Sequence, residues 1–145
     1  DIRKEFRNKS LTLVDRQYPL YVGQYEGKTY YIIPMVGTGL WGPVWGYVAL
    51  NEDKSTISGV VFDHQGETPG LGAEIKMPMF TDDFAGEKIT DANGSYKQIV
   101  VVKDNSGDGV NFKVDGITGG TITSKGVEEM VDRTLQVYVK YFKNN

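Results

Sequence analysis

Apolar residues recur along the chain with two distinct periods. From Ser124 onward Val127, Met130, Val131, Leu135, Tyr138, Tyr141 and Phe142 fall three or four apart, which predicts one long amphipathic helix. Ser124 suits its N-cap, and Glu128 and Glu129 stand in the first turns, where carboxylates favour the helix dipole. Upstream the period shortens. Segments 18–22 and 28–34 read as paired strands joined by a turn region at 23–27. Pro43, Val44, Trp45, Tyr47 and Val48 continue as a strand after a glycine loop, and 56–64 forms another. Segment 95–103 is a further strand, with Ile99, Val100, Val101 and Val102 β-branched and expected to be buried on both faces. Segment 110–114 alternates as a half-buried strand should, and the Asp, Asn and Gly residues at 104–109 suit a hairpin connection. Thr68 followed by Pro69 predicts a helix start. Segment 75–84 is mixed, and 85–94 is acidic and turn-rich. Strands and helices do not alternate regularly, which argues for an α+β domain. The expected architecture is a twisted, largely antiparallel sheet flanked by helices, with the C-terminal helix packed across it.

The 145 residues, 39% hydrophobic and 12% aromatic, are enough for one domain with a true core. Residues 1–17 are different in kind: Arg3, Lys4, Arg7, Lys9 and Arg16 mix with Asp1, Glu5 and Asp15, which predicts a solvated helix or tether. The domain proper is therefore 18–145. A net charge of −3 offers no basic face for nucleic acid. The absence of cysteine excludes disulfides and thiolate ligation of metals. No apolar run approaches the roughly 20 residues of a membrane-spanning helix, and no signal peptide is visible. The chain starts at Asp1 and reads as a truncated or processed soluble portion.

The stretch with the most chemistry is Asp115-Gly-Ile-Thr-Gly-Gly-Thr-Ile-Thr-Ser124. It brings three glycines and the hydroxyls of Thr118, Thr121, Thr123 and Ser124 to a helix start, where outward-pointing amides can hold a phosphate. A second block is Glu67-Thr-Pro-Gly-Leu-Gly72. Gly70 and Gly72 there weaken a helix by roughly 1 kcal/mol each, so either close approach of a ligand or tight packing selects them. A third, Gly37-Thr-Gly-Leu-Trp-Gly42, has the spacing of a dinucleotide turn but runs into a strand instead of a helix, which argues against that use. The loop from Asp104 has calcium-like spacing through Asp108 to Asp115, yet strands flank it and the last position lacks glutamate. His64, the only histidine, is read as a hydrogen-bonded strand-end residue. A hydrolase pairing it with Thr121 or Ser124 is the weaker reading.

The first two blocks together resemble the FMN-binding domain family over about residue 20 to the end. The branch most similar is the C subunit of sodium-translocating NADH:quinone reductases, whose Gly-Leu-Trp-Gly block matches here. The G subunit of the Rnf complex is next. The resemblance implies that a flavin transferase moves FMN from FAD onto the fourth residue of a Ser/Thr-Gly-Ala/Ser-Thr core. That core is Thr118-Gly119-Gly120-Thr121, which puts covalent FMN on Thr121; Gly120 departs from the usual alanine or serine. Thr118, Thr123 and Ser124 would bond near the phosphate. Glu67, Thr68, Gly70 and Leu71 would border the flavin, with Trp41 and Gly42 close by. By the same resemblance the domain carries electrons in a membrane NADH:quinone reductase that pumps sodium, and does not bind NADH itself. Its partners would be the other subunits and the transferase. Its place would be the periplasmic side of a bacterial inner membrane, held by an N-terminal helix outside this chain. A non-catalytic interaction module is the alternative of another class.

Overall fold

The computed structural model describes residues 17–107 and 109–145; the tether expected at 1–17 lies almost wholly outside them. Four strands run as an antiparallel meander: β1 Tyr21–Tyr25, β2 Lys28–Thr38, β3 Pro43–Leu50 and β4 Ile57–His64. The turn between β1 and β2 is only Glu26 and Gly27, both at positive φ (50° and 76°). That twisted two-residue turn matches the twist of the strands, so β1 extends through most of the expected turn region. β2 likewise runs four residues past its expected end.

One face of the meander is the core face. Ile33 and Met35 on β2, Val44, Val48 and Leu50 on β3, and Phe62 on β4 are buried there. Two elements close over it. Helix α2, Thr121–Asn144, buries Val127, Met130, Val131, Leu135 and Tyr138 of the expected stripe, and Val139 besides; Phe142 packs partly buried against the core, and Tyr141 is half exposed. Before it, a 3-10 turn Gly72–Lys76, the short helix α1 Pro78–Thr81 and a second 3-10 turn Asp82–Phe84 bring in Phe80 and Phe84. These pack edge-on and tilted against Phe62, with ring centroids 5.3–5.7 Å apart, a favoured aromatic geometry. Helix α2 lies very close to β2: a Cβ on Gly37 would stand 2.8 Å from Met130 Cβ, and one on Gly126 would strike the Thr38 carbonyl.

Two expectations change here. The strand expected over 95–103 is confined to β5, Val100–Val102, and only Val101 of its three residues is buried. The next strand is β6, Lys113–Asp115, shifted because Asn111 and Phe112 form a turn with Phe112 at φ 65°. β5 and β6 pair in parallel, so the 103–112 segment loops back to the same end and is not a hairpin. Carboxylates pin that loop: Asp115 accepts from the Gly107 amide at 2.8 Å and Glu87 from Phe112 at 2.7 Å. The α+β class and the largely antiparallel sheet stand as expected.

Candidate functional site

Three loops meet at the end of the sheet where β2 turns into β3. The first is the tip Gly39–Gly42, closed by a 2.8 Å bond from the Gly39 amide to the Gly42 carbonyl. The second leaves β4 at Gln65 and reaches Leu71. No α-helix starts at Pro69, contrary to the sequence expectation. Gly70 turns the chain at φ 79°, the Thr68 carbonyl accepts the amides of Leu71 and Ala73, and the first helical residue is Gly72. Two glycines in that stretch make a continuous α-helix unfavourable, and the turn uses one of them.

The third loop is 116–120. Ile117 and Gly120 close a tight turn at 2.9 Å with Gly119 at φ 74°, and the helix follows at once. Its N-cap is Gly120, with no capping side chain, and its first residue is Thr121. Ser124 is therefore inside the first turns and not at the cap. Its buried hydroxyl accepts the Ile117 amide at 3.0 Å, which ties the loop back onto the helix. The first-turn amides of α2, Thr121 among them, have no intrahelical acceptor.

These loops enclose a cleft of about 220 Å³. It brings together Trp41, Glu67, Thr68, Leu71 and Thr121, with Gly119, Gly120 and Thr123 behind them. Sequence reasoning missed Leu40 and Ile122, which complete its rim. Both are large, apolar and exposed, as are Trp41 (68%) and Leu71. Ile122 could have been noticed as an apolar residue off the buried stripe of α2. Thr118 and Ser124 line a smaller cleft on the far side of the loop, about 160 Å³, together with Lys103 and Lys125, and Thr121 contributes to both. Gly42 and Gly70 line neither. Thr121 is half-buried at the junction of the two clefts and lines both.

Glu67 is placed differently from its neighbours. It is only 3% exposed. One carboxylate oxygen accepts the Trp41 amide at 2.9 Å, and the other accepts the Thr123 hydroxyl at 2.6 Å. Burial pushes its pKa up, but the Thr123 hydroxyl and the amides of Trp41, Leu40 and Gly42 outweigh this and hold it below the ordinary glutamate value. His64 supports the same turn: its Nδ1 accepts the Glu67 amide at 3.0 Å, which fixes the proton of the neutral ring on Nε2.

Comparison with known proteins matches this region. Residues 39–136 fit the FMN-binding domain family. The C subunit of the Na(+)-translocating NADH-quinone reductase of Vibrio campbellii is 41% identical over 101 residues, 70% of this chain and 38% of that protein. The corresponding C subunit of Neisseria meningitidis serogroup A is 42% identical over 97 residues, 67% of this chain and 37% of its own length. The chain thus spans about two fifths of the curated relatives it matches. Among solved structures, the C subunit of the Parabacteroides distasonis reductase superposes with a TM-score of 0.84 at 47% identity, covering 97% of this chain and 67% of the other. NqrC of Shewanella oneidensis gives 0.69 at 30%, covering 82% and 58%. The matched stretch runs from the β2–β3 tip through both glycine blocks and along most of α2, and the chain belongs to the FMN-binding domain family.

Proposed function

We propose that this chain is the FMN-carrying domain of the C subunit of a sodium-translocating NADH:quinone reductase, with FMN joined through its phosphate to Thr121. The observation that carries the proposal is the position of Thr121. It is the first residue of a long helix, open to solvent through two clefts and preceded by a glycine turn that adds no bulk. In the transfer, the Thr121 hydroxyl forms the new O–P bond, the P–O bond of the FAD diphosphate breaks, AMP leaves, and a base of the transferase takes the threonine proton. The residues present fit the group. Unpaired first-turn amides of α2 suit its phosphate, Thr118 offers an exposed hydroxyl beside them, and the rim of Leu40, Trp41, Leu71 and Ile122 suits a flat apolar ring.

When bound, FMN supplies the redox chemistry; the protein binds, orients and shields it. Trp41 and Leu71, which line the cleft, would flank the ring, and Thr68 would offer a hydroxyl at its edge. The cleft is shallow, so a covalent link retains a cofactor that shape alone would release. Residues 18–145 form the domain, with Gly42 and Gly70 shaping its loops, and the domain does not bind NADH. Its partners are the other subunits of the complex and a flavin transferase. A membrane helix N-terminal to the chain would tether it on the periplasmic side. No described helix is itself long and apolar enough to cross a membrane. Co-expression with an active transferase is expected to give a fluorescent band that survives denaturation and disappears in Thr121→Ala. A wild-type chain that stays colourless under those conditions contradicts the proposal.

A further inference from the structure

The acidic residue of the Glu-Thr-Pro-Gly-Leu-Gly block does something the block itself does not suggest. A carboxylate this deeply buried is costly unless a cation or several hydrogen bonds compensate it. Among the described residues no lysine, arginine or histidine forms an ion pair with Glu67. Its compensation comes from the Thr123 hydroxyl on α2 and the amides of the β2–β3 tip. Those partners lie on the β2–β3 tip and in the first turn of α2, 26 and 56 residues away in sequence. Two glycines make room for it. A Cβ on Gly39 would strike Glu67 Oε1 and stand 2.8 Å from Cδ; a Cβ on Gly72 would strike the Thr123 hydroxyl and lie 2.9 Å from Glu67 Oε2. Gly72, a helix-weakening glycine that called for either a ligand or tight packing, is thus accounted for by packing around this carboxylate.

We propose that Glu67 is a positioning residue: its carboxylate clamps the 39–42 loop, and Trp41 with it, against the first turn of α2 beside Thr121, and its fixed negative charge lowers the redox potential of a flavin in the adjoining cleft. The clamp stands on the geometry alone, whereas the effect on potential rests on the FMN reading above. A carboxylate only accepts, and it faces only donors. Glutamine has the same shape but turns an NH₂ group toward at least one of them, so Glu67→Gln breaks the clamp without removing volume. Thr123→Val removes one donor and keeps the charge. A fixed negative charge near the ring opposes addition of an electron, most strongly where water is excluded.

The test uses amide hydrogen exchange on the flavin-free chain and a redox titration of the flavin-loaded one. In Glu67→Gln, exchange at Leu40, Trp41 and Gly42 is expected to accelerate about tenfold or more, the scale of one lost charge-assisted bond, while α2 core amides such as Leu135 keep their protection. Thr123→Val is expected to accelerate the same amides less. The midpoint potential is expected to move positive in Glu67→Gln and much less in Thr123→Val. Unchanged loop exchange in a folded Glu67→Gln protein overturns the clamp, and faster exchange with an unmoved potential overturns the role of the charge. Should Glu67→Gln fail to fold, Thr123→Val decides: faster exchange at Trp41 supports the clamp and unchanged exchange overturns it. A wild-type chain that takes no flavin from an active transferase removes the FMN reading and the potential effect together, while the exchange data still decide the clamp.

Discussion

At the residue scale, side chains alike in sequence have unlike work. Thr118, Thr121, Thr123 and Ser124 all read as hydroxyls near a helix start, yet Thr123 and Ser124 are buried and committed to Glu67 and to the Ile117 amide. Thr121 and Thr118 are left facing the clefts. The two glycines of 67–72 differ in the same way. Gly70 has a positive φ and open space around it, whereas Gly72 faces the Thr123 and Glu67 oxygens. Gly70→Ala is expected to lose about 1–2 kcal/mol from backbone strain alone, and Gly72→Ala about 1–3 kcal/mol or more from overpacking, both read by denaturant unfolding. Only Gly72→Ala should also disturb the Trp41 amide shift. Acid should act through Glu67. Its folded pKa lies below the ordinary value of 4.5, so its contribution is present above that value and lost as pH falls through the folded one. Wild-type stability should therefore drop more steeply below about pH 4.5 than that of Glu67→Gln, as measured by unfolding midpoints across the acid range.

At the element scale, α2 is set by its contact with β2. Met130 is fully buried beneath Gly37, and Met130→Ala is expected to destabilise by about 2–5 kcal/mol. Gly126 is the sharper case. Alanine would raise helix propensity by about 1 kcal/mol, but its Cβ would strike the Thr38 carbonyl, a backbone atom that cannot swing aside. Gly126→Ala is expected to destabilise, and a gain in unfolding midpoint would contradict this packing. The helix body and the meander were legible because each repeats its period over several turns or residues. The boundaries were less so. Ser124 imitates an N-cap, but the Gly119 turn starts the helix four residues earlier, with Gly120 at the cap. Thr68-Pro69 imitates a helix start, but Gly70 breaks it. Segment 95–103 has β-branched residues but finds partners only in pieces: Tyr96 bridges Thr90 in the antiparallel sense, and Val100–Val102 pairs with β6 in parallel. No local pattern states that direction. Of the site, the glycine and hydroxyl loops were legible because each is contiguous. The Glu67–Thr123 pair was not, since only the fold brings it together.

At the scale of the whole molecule, one end of the sheet gathers what the rest supports. The core of Phe62, Phe80 and Phe84 fixes the 3-10 turns, α2 is clamped on β2, and the three loops between them leave Leu40, Trp41, Leu71 and Ile122 exposed around Thr121. If that rim receives a flat ring, Trp41→Ala should retain the covalent flavin while losing the stacking contact, seen as brighter flavin emission and a weaker near-ultraviolet dichroism band. The most direct measurement is the intact mass of the wild-type chain and of Thr121→Ala after co-expression with an active flavin transferase, with the modified peptide then located by fragmentation. The expected result is a wild-type gain equal to FMN less one water, carried on Thr121 and absent from the variant. A wild-type chain of unmodified mass, or the same gain persisting in Thr121→Ala, would contradict it.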